Sequence, residues 1–173
     1  MTTRLMSEIN FDPVVLTQSL VKCASITPED DGALTVVENH LKTIGFECYP
    51  LNFSGNNSYE VKNLFATIGN EGKHFAYAGH TDVVPIGNES SWKYPPFSGK
   101  IDGEKLYGRG SEDMKSSVAC FISATKRFLD KYKKLPGKIS FIITGDEERD
   151  SVNGTPRILE WASKINITLI ICL

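Results

Sequence analysis

Apolar residues recur along this chain at two spacings, and the switch from one to the other marks out its elements. Val14, Leu16 and Leu20 follow at helical steps after Asp12-Pro13, residue types that cap and open a helix, which predicts a helix over 13–23. A second helix is predicted over 33–44. Gly45 ends it in the left-handed conformation that other residues avoid, and an extended segment over 46–51 follows. Strand-like runs over 63–68 and 75–78 are bounded by Gly69, Gly72 and Gly79. From 85 to 110 the chain carries Pro85, Pro95, Pro96 and five glycines, predicting a turn-rich loop with one short strand over 105–107. Ordered loops of that length are often functional.

Val118, Phe121, Ile122, Thr125, Phe128, Leu129 and Tyr132 recur at three- and four-residue steps, so 115–133 is predicted as an amphipathic helix. Pro136 and Gly137 end it. Buried strands are predicted over 138–144 and 165–173, with a short helix over 155–162 between them. This alternation of strand and helix predicts an α/β fold, a mixed, largely parallel sheet flanked by helices. The last apolar run suits the middle of a sheet, yet no further element follows it, so the chain is expected to be part of a larger domain.

Composition narrows the class without naming an activity. With 40% hydrophobic and 23% charged residues, the 173-residue chain has the balance of a globular protein able to bury roughly 70% of its unfolded surface. A net charge of -2 offers no broad positive field, so neither nucleic acid nor an anionic membrane is expected as a partner. The opening MTTRLMSEINFDP has no signal-peptide core and no run of about 18 apolar residues occurs, which reads as a cytoplasmic protein. Cys23, Cys48, Cys120 and Cys172 lack C-x-x-C spacing and are expected to be reduced and structural.

In sheets of this class ligands gather at the carboxyl ends of strands, where three polar clusters stand. They are Gly79-His80-Thr81-Asp82, Gly108-Arg109-Gly110-Ser111-Glu112-Asp113-Met114-Lys115 and Gly145-Asp146-Glu147-Glu148. An imidazole with converging carboxylates suits zinc and similar divalent ions, and Asp82 is spaced to orient the His80 ring. Each has a plainer reading: a strand-end histidine with a turn-forming Asp82, Asp113 as a helix N-cap, Glu147 and Glu148 as a solvated turn. Their joint placement favours a metal site, in which one of the adjacent glutamates would bind the cation and the other move a proton. His40 and His74 read as structural, and Trp92, Tyr94 and Phe97 as a packing cluster. Gly108-x-Gly110 lacks the third glycine of a phosphate loop, and Glu112 and Asp113 would repel a pyrophosphate.

The segments HTDVVP (80–85), WKYPPFSG (92–99), DGEKLYGRGSEDMK (102–115) and TGDEE (144–148) together resemble the dinuclear-zinc aminoacylase and peptidase superfamily, most closely its succinyl-diaminopimelate desuccinylases. The resemblance implies a truncated zinc-exopeptidase-like catalytic domain. Residues 1–173 would form its N-terminal part, without the rest of that domain or the dimerisation domain of a homodimeric enzyme. It further implies two divalent ions, zinc or alternatively cobalt, with His80 as a ligand of the first, Asp113 bridging both and Glu148 a ligand of the second. Asp82 would orient His80, Glu147 would be the general base, and the Asp113-Met114 peptide would be cis. The implied reaction hydrolyses N-succinyl-LL-2,6-diaminopimelate to succinate and LL-2,6-diaminopimelate. Acetylornithine deacetylases or other aminoacylases share the chemistry, and a non-catalytic remnant is the alternative of another class.

Two positions depart from that pattern. Arg149 stands where the family usually has glycine, adding a cation beside a metal-binding carboxylate, and Glu112 replaces a small residue before the bridging aspartate. A further Glu ligand and a later His ligand lie beyond the matching segment, so these 173 residues alone are expected to be inactive.

Overall fold

A computed structural model describes residues 9–55, 57–132, 134–165 and 167, and the backbone of 171–172. Helix α1 (Pro13–Lys22) opens as its sequence predicts, with the Asp12 carboxylate accepting the Val14 and Val15 N–H groups. Helix α2 (Ala33–Thr43) closes on Gly45, at φ 91, with Gly45 N–H bonded to the Lys42 carbonyl and Phe46 N–H to the Leu41 carbonyl. These paired bonds satisfy carbonyls that the helix end leaves open.

Strand β1 (Glu47–Gly55) and β2 (Ser58–Ile68) form an antiparallel hairpin, followed by β3 (Lys73–His80). A short hairpin of β4 (Lys100–Asp102) and β5 (Lys105–Tyr107) lies within the turn-rich loop, and a kinked turn, Ser111–Lys115, leads into α3 (Ser116–Lys131). Then come β6 (Gly137–Thr144), α4 (Thr155–Lys164) and β7 (Ile171–Cys172). The main sheet runs β1-β2-β6-β3-β7. It is mixed: β3 is parallel to β6 and β7, whereas β2 is antiparallel to both β1 and β6. The antiparallel half comes from the hairpin, in which 58–62 is also strand because Val61 and Asn63 turn inward while Glu60 and Lys62 face out.

Two differences from the expected boundaries have local causes. Ile165 does not begin a strand: its N–H caps α4 on the Ala162 carbonyl, as does that of Ile167, and the described strand is Ile171–Cys172. Residues 166, 168–170 and 173 of the expected strand lie outside the described residues. Asp113 does not cap the long helix. Its backbone is extended at φ -115, ψ 102, and the helix begins three residues later.

Alternation along the strands builds a core on each face. Leu64, Ala66, Tyr77, Phe141 and Ile143 pack under α1, α2 and α3, whose buried stripes include Leu16, Leu20, Val37, Leu41, Val118 and Ile122. Phe65, Ala76 and Ile142 point the other way, to Ile158 and Trp161 of α4 and to Tyr49 and Phe53 of β1.

Candidate metal centre

Parallel register brings the first and third polar clusters together. His80 is the register partner of Thr144, and the Thr81 N–H reaches the Thr144 carbonyl at 3.0 Å, so residues 81–82 and 145–148 leave the sheet side by side. The second cluster arrives from above because α3 crosses from the end of β3 back to the start of β6, leaving its N-terminal turn over the strand ends. Glycine permits that approach. At Gly110, φ 75, a Cβ would run into the Val83 side chain, and at Gly108 into Val21.

His80 is buried, its Nδ1 facing the Asp82 carbonyl oxygen at 3.0 Å and the Asp82 carboxylate at 3.5 Å. Both neighbours are acceptors, so Nδ1 carries a proton and Nε2 is the nitrogen turned to the site. Nε2 lies 3.1 Å from Asp113 Oδ1 and 3.8 Å from Glu147 Oε2. Burial works against a charged ring, yet the hydrogen bonds and charge of Asp82 and the charge of Glu147 outweigh it, raising the His80 pKa to about 9. One ligand atom each from His80, Asp113 and Glu148 lies within 4.8 Å of the others. An imidazole nitrogen and two carboxylates are donors that zinc accepts, so these residues fit a divalent cation.

Asp82 does more than orient a ring. Its carboxylate accepts the Thr27 hydroxyl at 2.7 Å, the Glu147 N–H at 3.1 Å and the Glu148 N–H at 3.1 Å. Burial pushes its carboxyl up, but these bonds, with His80, pull it down further and hold it below the ordinary value. Glu148 goes the other way: burial and the charges of Asp113, Glu147 and Asp82 raise it against the pull of His80. Four carboxylates around one imidazole leave the site short of positive charge, which a divalent ion would supply. Glu147 is more open, its side chain 57% exposed.

Several supporting residues carry no legible signal in the sequence. Thr27 reaches Asp82 because 25–27 runs beside 81–83, with Ile26 bridged to Val83 and the Ser25 hydroxyl on the Thr81 carbonyl. Lys115, the last residue of the kinked turn, is fully buried, donating to the Cys23 carbonyl at 2.8 Å, and burial drives its pKa down to about 8. Tyr59, on β2 of the hairpin, donates its hydroxyl to Asp146 at 2.7 Å. Arg149 makes no ion pair among the described residues; its guanidinium sits over the Tyr59 ring, 5.2 Å from the centroid. Glu112 is exposed beside a cleft shared with Val14 and Ile101. The Asp113-Met114 peptide is cis, as the resemblance implies.

Residues read as structural are engaged in packing. His40 bonds the Val36 carbonyl at 2.7 Å and meets Phe11 edge-on, and buried His74 bonds the Ser140 hydroxyl at 2.7 Å. Tyr94 packs on Tyr107 and Trp92 on Arg109, so these aromatics join neighbouring elements rather than one another. Cys23, Cys48 and Cys120 are free thiols, and burial pushes Cys48 up to about 11.

Residues 76–172 match peptidase family M20/M25/M40. The chain belongs to this family. Among solved structures, human carnosine dipeptidase 1 superposes with a TM-score of 0.78 at 23% identity, over 93% of this chain and 37% of that one. An M20 family metallo-carboxypeptidase from Sulfolobus solfataricus gives 0.73 at 23%, over 92% and 37%, and a dipeptidase from Saccharomyces cerevisiae 0.66 at 18%, over 89% and 36%. The chain thus spans less than two fifths of the length of each of these structures. The likeness is one of fold, a mixed sheet between helical layers. Among the described residues no helix is long and apolar enough to cross a membrane.

Proposed function

We propose that this chain is the metal-holding N-terminal part of an amide hydrolase catalytic domain, in a protein that removes the acyl group from an N-acyl amino acid. N-succinyl-LL-2,6-diaminopimelate is the substrate that the four motif segments favour, giving succinate and LL-2,6-diaminopimelate. The observation that carries the reading is the convergence of His80, Asp113 and Glu148, from three separate elements, with Glu147 beside them.

His80 and Glu148 would each hold one of two divalent ions, zinc or cobalt, and Asp113 would bridge them. Such ions supply Lewis acidity, lowering the pKa of a water and polarising an amide carbonyl. Glu147, exposed and 3.8 Å from His80 Nε2, is the base that takes the proton from the attacking water and returns it to the leaving amine. Asp82 serves both: it fixes the proton on His80 Nδ1 and, through two backbone N–H groups, sets the height of Glu147 and Glu148.

Calorimetric titration of the chelator-stripped chain with zinc tests this. Tight zinc binding, lost or weakened at least about tenfold in His80→Ala and in Asp113→Ala, is the expected result. Unchanged stoichiometry and affinity in both variants would contradict it. In a protein carrying these residues that turns over, faster cleavage of N-acetylornithine or of a dipeptide than of the succinyl compound would move the substrate assignment and leave the metal centre standing.

A further inference from the structure

Tyr59 belongs to none of the motifs, yet its hydroxyl closes the turn that carries the glutamate pair. It donates to Asp146 Oδ1 at 2.7 Å and accepts the Asp150 N–H at 3.2 Å, so one phenolic oxygen spans the turn from the residue before Glu147 to the second residue after Glu148. The other Asp146 oxygen accepts the Asn153 N–H at 3.0 Å, and the Asn153 side chain returns to the Tyr59 carbonyl at 2.8 Å. From the same hairpin, the Ser58 hydroxyl donates to Asp150 at 3.1 Å. Asp146 is 1% exposed, and a carboxylate that deep is costly unless donors surround it. The turn is therefore gripped from two sides, by Asp82 under the glutamate N–H groups and by Tyr59 across its opening. Arg149 stands where the resembled family has glycine, and its guanidinium is seated on the ring of this same tyrosine.

We propose that Tyr59 is a positioning residue for the metal centre: its hydroxyl holds the Asp146–Asp150 turn so that Glu148 meets His80 and Asp113, and Arg149 clamps its ring in place. This rests on Glu148 being a metal ligand, as set out above. Tyr59 reaches no ligand atom itself and acts through the turn. Arg149 is accordingly part of the scaffold in this chain rather than a cation aimed at the site.

The test is a double-mutant cycle on zinc affinity, read by competition with a chromophoric chelator, with thermal unfolding recorded alongside. Tyr59→Phe removes one oxygen and is expected to weaken zinc binding about tenfold, the scale on which supporting partners of metal ligands act. In a Glu148→Gln background the same substitution is expected to cause no further loss, because its effect passes through Glu148. Should Tyr59→Phe fail to fold, Arg149→Ala on the exposed side repeats the cycle, with an expected loss of about threefold in the parent and none in Glu148→Gln. A lower melting temperature with unchanged zinc affinity, or losses that add fully with Glu148→Gln, would show Tyr59 to be structural and overturn the proposal. If His80→Ala also leaves zinc affinity intact, the metal centre itself falls and Tyr59's role with it; if only Tyr59→Phe is silent, the strut alone falls.

Discussion

The Thr27 hydroxyl, two backbone N–H groups and the His80 ring all converge on the buried carboxylate of Asp82. Asp82→Ala leaves the Thr27 hydroxyl and both N–H groups without this acceptor, while the His80 ring keeps the Asp82 carbonyl, and is expected to cost about 2–4 kcal/mol, whereas Asp82→Asn keeps one acceptor oxygen and should lose about half as much. Urea midpoints should rank wild type, Asn, Ala, and equal midpoints would contradict the geometry. The pH sign follows from a carboxyl held below its ordinary 3.8: its stabilisation is present above that value and lost as the pH falls through the folded value. Spacing alone pointed to Asp82 as the partner of His80. It could not reveal that the same oxygens carry the Glu147–Glu148 turn, since that bond joins residues 65 positions apart. Asp113 shows the opposite case. Its local sequence suits a helix cap, but tertiary placement turns an exposed carboxylate toward His80 instead.

Elements were legible where one interaction dominates. The caps of α1 and α2 stand at Asp12 and Gly45 because local chemistry decides them, and α3 follows its apolar stripe. The turn before α3 was not legible as a shape. Gly108 and Gly110 could be rejected as a phosphate loop, but their purpose is close approach, against Val21 and Val83, which lie far away in sequence. Gly110→Ala meets both a left-handed backbone and the Val83 side chain. It is expected to cost about 2–3 kcal/mol and, by displacing the turn that bears Asp113, to weaken zinc binding as well. Full zinc affinity in a destabilised Gly110→Ala protein would separate the turn from the site. The C-terminal strand illustrates an ambiguity of apolar runs: Ile165 extends both the stripe of α4 and the run after it, and the helix claims it through the bond to Ala162.

At the scale of the molecule, the parallel pairing of β3 with β6 decides where chemistry can occur, since it aligns the ends of two strands and sets α3 over them. The strand-helix alternation of the second half foretold that arrangement. It did not foretell the hairpin that makes half the sheet antiparallel, because pairing direction depends on partners that periodicity does not name. That hairpin brings Tyr59 to the glutamate turn, so topology and site are joined there. The most direct measurement of the central claim is anomalous diffraction at the zinc edge from crystals of the zinc-loaded chain. A peak about 2.0–2.1 Å from His80 Nε2 and beside the Asp113 carboxylate, with a second between Asp113 and Glu148, is the expected result. Zinc bound only elsewhere, at His40, His74 or the cysteines, would contradict it.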